Sequence, residues 1–348
     1  MQGGGGVFAA VLLLTVVAVG LVFEYARRWH ALASYADALD VKPLMVLRDV
    51  CNPSILSLPG KQIAVTVRSM VSGLGMQPWT ESRVFLASVD ALEKLEMASF
   101  REIPCRGAPE YQGAHGWEDG RLFFAATKLC VLVAVRGRAG RFRQVIVELG
   151  ASGEGVRSWL PPRRILDLVP TWPGGDVASF KNWAWLPTEN ELLFVHSVHP
   201  THTIVAVDCR TGRAVVRHET PSEKAFRHIA GGRAIRGGSG AIRCGQVMVA
   251  AARVVRCASP VSSLRRPRCY RTVFYAFAAT PPYQVLPEYV GREVLFRCNG
   301  TRRTPSIQMT TALTRLQDGR IIVAFGEEDR RAKFVALSEE QLVALLKK

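Results

Sequence analysis

The chain has 348 residues, 48% of them hydrophobic, with 45 Lys+Arg against 29 Asp+Glu and 8 cysteines. Such a composition belongs to a folded protein and excludes extended disorder; the length suits two domains or one large β domain. The net charge of +16 would fit a nucleic-acid binder, but 36 of the 45 basic residues are Arg and only 9 are Lys, in a chain rich in Ala and Gly, so charge alone selects no partner.

From Val7 to Phe23 the chain reads VFAAVLLLTVVAVGLVF, seventeen uncharged residues followed by Glu24, Arg27 and Arg28. That is the lower end of what crosses a bilayer. No Lys or Arg precedes the run, as a cleaved signal peptide would require, and the small-x-small triplet Ala31-Leu32-Ala33 lies behind two arginines. The reading is an uncleaved, single-pass membrane anchor over residues 1–30 and a linker over 31–44. Arg27 and Arg28 favour a cytosolic main domain, whereas eight cysteines would suit a lumenal one, so orientation stays open. Those cysteines (Cys51, Cys105, Cys130, Cys209, Cys244, Cys257, Cys269, Cys298) include no C-x-x-C pair, which argues against zinc. Several sit in apolar runs, where a free buried thiol is the common state.

Residues 45–348 are rich in short β-branched or aromatic runs bounded by Gly, Pro, Asp or Asn, which predict strands: IAVTVR, LFFAATK, VLVAV, QVIVEL, ELLFVHSV, TIVAVD, VMVAAARVV and IIVAFG. Helix is expected only in SVDALEKLEMA near residue 90 and in the terminal SEEQLVALLKK, where Ser338 is the N-cap of a loose capping arrangement with a glutamate. A polar residue leads into an apolar strand, a turn and a second strand five times: Asn52 to Gly60, Asp119 to Lys128, Asn182 to Asn190, Arg236 to Gly245 and Gln308 to Asp318-Gly319. The leads lie 67, 63, 54 and 72 residues apart, room for one four-stranded antiparallel sheet per unit. This predicts an all-β fold, a five-bladed β-propeller; an irregular β-sandwich is the alternative. In a propeller the first strand of each blade lines the central channel, so the five leads would converge there.

Near those leads stand Asn52-Pro53-Ser54-Ile55 followed by Arg68, Glu118-Asp119-Gly120-Arg121, Lys181-Asn182-Trp183, Arg236-Gly237-Gly238-Ser239 and Phe325-Gly326-Glu327-Glu328-Asp329. Carboxylates among several cations suit a polyhydroxylated, anionic ligand. In this order the segments resemble glycoside hydrolase family 130, the five-bladed β-mannoside phosphorylases and hydrolases, over residues 45–340. The resemblance implies a glycoside phosphorylase or hydrolase in which Asp119 is the general acid, protonating the glycosidic oxygen through a sugar hydroxyl. It implies inorganic phosphate or water as the nucleophile and no other cofactor. Asn52, Arg68, Glu118, Arg121, Lys181, Asn182, Trp183, Arg236 and Asp329 would line the sugar and phosphate subsites. An inverting displacement needs an acid on one face and a nucleophile on the other, and phosphate calls for cations where a hydrolase needs a second carboxylate. Two departures stand out. Gly120 replaces the family's proline and is expected to loosen the backbone after Asp119, and Arg253 stands where relatives often carry a histidine.

His196, His199 and His202 have a metal-like spacing, but HSVHPTH reads as a solvated loop. Residues 251–303 carry ten Arg and two Glu with interleaved aromatics. Single-stranded nucleic acid is an option there, but no nucleic-acid motif accompanies it, and a basic outer face or an acidic-glycan contact is the preferred reading. Beside the enzyme, two other classes stay open: a catalytically silent propeller that binds a glycan or a protein, and a role in glycan assembly beside a glycosyltransferase, for which no D-x-D motif is present.

Overall fold

The computed structural model describes residues 37–41, 43–71, 79–90, 100–103, 117–125, 128–136, 142–151, 159–172, 182–230, 234–257, 268–298 and 307–347. The apolar run Val7–Phe23, the linker to residue 36, Lys181, and most of the helix expected near residue 90 lie outside them. Among the described residues no helix is long and apolar enough to cross a membrane.

Among the described residues, twenty-three strands form five sheets. In chain order they are β1 (Asp37–Val41), β2 (Met45–Arg48), β3 (Val50–Leu58), β4 (Gln62–Val71), β5 (Trp79–Ser88), β6 (Arg101–Ile103), β7 (Trp117–Ala125), β8 (Lys128–Arg136), β9 (Phe142–Ala151), β10 (Trp159–Asp167), β11 (Val169–Pro170) and β12 (Ala184–Leu186). There follow β13 (Leu193–Ser197), β14 (Thr201–Val207), β15 (Arg213–Pro221), β16 (Ala234–Gly237), β17 (Ile242–Cys244), β18 (Val247–Cys257), β19 (Arg268–Ala278), β20 (Val285–Cys298), β21 (Gln308–Arg315), β22 (Ile321–Glu327) and β23 (Arg331–Leu337).

Blade 1 is β3-β4-β5-β6 and blade 2 is β7-β8-β9-β10. Blade 3 is β12-β13-β14-β15, extended by β11, and blade 4 is β16 and β17 on β18, then β19 and β20. Blade 5 is β21-β22-β23, completed by β2 from the opposite end of the described chain. β1, in the stretch read as a linker, pairs parallel with β20.

Five hydrophobic cores alternate with the five sheets. Blades 1 and 2 share Ala64, Val84, Val131 and Val145; blades 2 and 3 share Phe123, Leu132, Phe194 and Val205. Blades 3 and 4 share Leu193, Ile204, Met248 and Tyr275, and blades 4 and 5 share Phe274, Phe296, Val323 and Phe325. Ile55, Val65, Ile322 and Phe334 close the ring between blades 5 and 1. Every blade therefore buries both faces. In β22, Ile321, Val323 and Phe325 face blade 4 while Ile322 and Ala324 face blade 1. This is why the strands read as unbroken apolar runs rather than as polar-apolar alternation.

The short runs thus become strands, and the turns fall where Gly60, Gly245 and Gly319 adopt φ of 71°, 57° and 88°. The terminal helix Glu339–Ala344 is capped by Ser338, and its reciprocal partner is Gln341, the third residue after the cap, rather than a glutamate. Cys51, Cys130, Cys209, Cys244 and Cys269 are free thiols, all buried except Cys209.

Candidate functional site

The innermost strands β3 and β7 each carry a bulge in register, between Cys51 and Ser54 and between Glu118 and Arg121. At the bulges Asn52 and Asp119 take φ of 47° and 53°, and Asn182, just before β12, takes 75°. Asn and Asp enter this left-handed region more readily than other side-chain-bearing residues. A bulge re-aims a side chain, and here it brings two blades together: Asn52 Nδ2 donates to Asp119 Oδ1 at 2.6 Å. Arg68 Nη1, from β4, donates to the same oxygen at 2.8 Å and lies 3.8 Å from Glu118 Oε2. Asp119 and Asn52 are buried, and Arg68 is mostly so. Burial opposes the charge on Arg68, but Asp119, Cys51 and Glu118 outweigh it and raise its affinity for its proton. Two donors on one carboxylate oxygen, one of them a guanidinium, form the setting of an ionised aspartate.

Gly120 is not a loose joint. Its N–H donates to Ser82 Oγ at 3.2 Å, which a proline could not do, and its carbonyl accepts from Thr66 Oγ1 at 2.8 Å. A Cβ there would stand 3.2 Å from Val131 and 3.3 Å from Ser82. The expected loosening is therefore overturned: cross-blade hydrogen bonds and close packing hold the residue after Asp119.

Arg253 joins the site from β18, paired in register with Arg236 on β16. It is buried, its guanidinium carbon lies 4.8 Å from the Tyr270 ring centroid, and burial pushes its pKa down, against the charges of Asp119 and Asp329. Asp329 is exposed in the β22–β23 turn at φ 51°, where its charge acts on Arg68, Cys51 and Arg253. Arg236 is exposed on the same side, close enough for its charge to act on Arg253. Burial raises the Cys51 thiol to about 11, with Arg68 opposing. The cluster thus gathers Asp119, Glu118 and Asp329 with Arg68, Arg253 and Arg236.

Other expected site residues go elsewhere. Trp183 is wholly buried between blades 2 and 3, with its ring centroid 6.3 Å from that of Trp172, so it is a core residue with no face for a ligand. Its neighbour Asn182 is half-buried, its carbonyl near Gly237 of blade 4. Arg121 is buried and donates to the Thr311 carbonyl of blade 5, close enough to Asp119 and Arg253 for their charges to act on it. Gln308, the fifth lead, is buried and turned outward: its amide bonds Phe296 N and O at 2.7 and 2.9 Å, tying blade 5 to blade 4. The histidines do not form a solvated loop. His196 packs on Trp172 and Trp183, His199 on Phe226, and His202 is fully buried against Tyr275 and Phe277. The arginines of 251–303 do not form one outer face either, since Arg253, Arg256 and Arg271 are buried.

Neither a protein-family model nor a curated protein sequence matches the chain. Solved structures do match. A glycosyl hydrolase from Bacteroides ovatus superposes with a TM-score of 0.53 at 12% identity, over 84% of this chain and 85% of that one. The β-1,2-mannobiose phosphorylase from Listeria innocua, in its β-1,2-mannobiose complex, gives a TM-score of 0.54 at 9% identity, over 86% and 92%. What is shared is the fold. The chain is a five-bladed β-propeller whose structural neighbours include glycoside hydrolases and phosphorylases.

Sequence reasoning did not single out Ser82 and Thr66, which hold the backbone behind Asp119, or Tyr270 beneath Arg253. Hydroxyls one blade away in sequence leave no local pattern. Tyr270, by contrast, lay within the Arg-and-aromatic stretch already noted.

Proposed function

We propose that the propeller acts on a glycoside, with Asp119 as the proton donor and the guanidiniums of Arg68 and Arg253 receiving an anionic co-substrate, inorganic phosphate. The observation that carries this reading is the Asp119 carboxylate, buried on an innermost strand and gripped by Arg68 and Asn52, beside the buried Arg253. In that grip the carboxylate is ionised and cannot donate a proton. An anion drawn to Arg68 would compete for the guanidinium, weaken its hold and favour protonation of Asp119. Proton donation is thereby coupled to the presence of the nucleophile, and in inverting geometry the two act from opposite faces of the sugar. The structural neighbours, a glycosyl hydrolase and a mannobiose phosphorylase, support the substrate class.

The 2.8 Å ion pair also favours a second reading, a glycan-binding propeller without catalysis. A screen of β-manno-oligosaccharides with and without phosphate separates the two. Phosphate-dependent formation of a sugar phosphate supports phosphorolysis, and cleavage without phosphate supports hydrolysis. Saturable binding with no turnover in either condition supports the binding reading. The apolar run Val7–Phe23 is proposed to anchor this activity at a membrane, which fractionation of cells expressing the chain with and without residues 1–36 tests.

A further inference from the structure

Beside Arg121 the innermost strands enclose a cavity of about 340 Å³. The innermost segments of all five blades wall it: Ser54 from blade 1, Arg121 from blade 2, Trp185 from blade 3, Ile242 from blade 4, and Thr311 and Leu313 from blade 5. Its walls are chiefly aliphatic and indole surface, and among the described residues no carboxylate lines it. The cavity is at the small end of the ligand-pocket range, roughly 300–1,000 Å³, which suits a one-ring molecule rather than an oligosaccharide.

Arg121 is the deeply buried guanidinium in this lining. It is 95% buried, with 5% of its surface exposed. One nitrogen, Nη1, is spent on the Thr311 carbonyl, while Nη2 is buried with no hydrogen-bond partner among the described residues. Burial pushes its pKa down to about 10, Asp119 opposes this, and Arg253 adds to it. A buried donor left unmade costs about 1–3 kcal/mol, more when charged, and Asp119 is already engaged by Arg68 and Asn52. Two further guanidiniums, Arg243 and Arg315, line the cavity, and Arg315 is paired with Glu339 at 2.7 Å.

We propose that this cavity is a second binding site, adjoining the Asp119 cluster, for a small apolar carboxylic acid whose carboxylate completes the hydrogen bonding of Arg121 and whose body fills the apolar volume. Inorganic anions match the charge but leave the apolar walls without a partner. The inference does not depend on the glycoside reading, because it uses neither Asp119 as an acid nor a sugar.

The test is calorimetric titration of the full-length protein with benzoate, with its neutral isostere benzamide, and with chloride and phosphate at matched ionic strength. Benzoate is expected to bind saturably, with benzamide about tenfold weaker or worse, the scale of a lost charge-assisted hydrogen bond. Arg121→Met should weaken benzoate by a similar factor. Ala241→Leu, which fills the cavity without removing a charge, should also weaken it, and serves as the independent variant if Arg121→Met fails to fold. The proposal is overturned if benzoate does not bind, if benzamide equals it, or if both variants that fold bind it normally. Chloride or phosphate binding as tightly would replace the organic acid by an inorganic ion, and competition by manno-oligosaccharides would move the ligand to the Asp119 cluster.

Discussion

Asp119 illustrates how one residue type answers two demands. Its φ of 53° at a bulge asks for Asn, Asp or Gly, and its position one blade from Asn52 and Arg68 asks for a carboxylate. The Asp-Gly pair was legible in the sequence, but it equally signals a hairpin turn, and only the 2.6 and 2.8 Å contacts tell the two apart. His202 shows the reverse. The strand-turn-strand context of HSVHPTH suggested solvent, yet the residue is fully buried, with Nδ1 donating to the Tyr283 carbonyl at 2.9 Å and the ring packed on Tyr275 and Phe277. Burial pushes its pKa down to about 4, from an ordinary 6.5 or so. Between those values the unfolded chain binds more protons than the folded one, so stability is full above about pH 6.5 and falls as the pH drops toward 4. His202→Asn keeps the donor to Tyr283 and removes the titration. Chemical denaturation at pH 7 and pH 4 should show wild type losing roughly 3 kcal/mol more than the variant.

Among the elements, several strand pairs and turns were legible because short apolar runs are separated by glycine turns, at Gly60, Gly245 and Asp318-Gly319. Which strand residues reach the channel was not, because bulges shift the register by a residue and blades meet side chain to backbone across long sequence separations. Gly326 on β22 is such a meeting. A Cβ there would sit 2.7 Å from Asn52 Oδ1 and 2.9 Å from Asn52 N, so something must shift. Gly326→Ala is expected to push Asn52 off Asp119, lowering kcat about tenfold or more while the melting temperature changes by only a few degrees; activity assays beside thermal unfolding check this. The end of the same strand holds a buried ion pair, Lys333 Nζ lying 2.9 and 2.7 Å from the two Glu327 oxygens. Lys333→Met leaves that carboxylate buried with Arg331, at 3.4 Å, as its remaining cation among the described residues, and should cost about 3–5 kcal/mol. Adding Glu327→Leu should recover most of it, as urea unfolding of the single and double variants would report.

For the whole molecule, closure is the feature that sequence periodicity implied without locating. The five repeats predict a ring, but the strand that completes it, β2, lies before the first lead and carries too few residues to stand out. Its Met45 and Leu47 are buried in the core between blades 5 and 1, and its pairing with β23 covers what would otherwise be an open edge. Met45→Ala should therefore behave as a core truncation, destabilising by about 2–5 kcal/mol in a single cooperative transition. A cost under about 0.5 kcal/mol would mean that β2 is not part of the closed ring.

In the proposed function Asp119 supplies the proton for glycoside cleavage. Asparagine is the discriminating replacement, since it tolerates the left-handed backbone and keeps the side chain's shape while removing the acid. The most direct measurement is kcat for β-manno-oligosaccharide cleavage by wild type and Asp119→Asn in saturating phosphate, with oligosaccharide affinity measured alongside. A fall in kcat of about a hundredfold or more with affinity kept within a few fold is the predicted result. Equal kcat in the two proteins would contradict it.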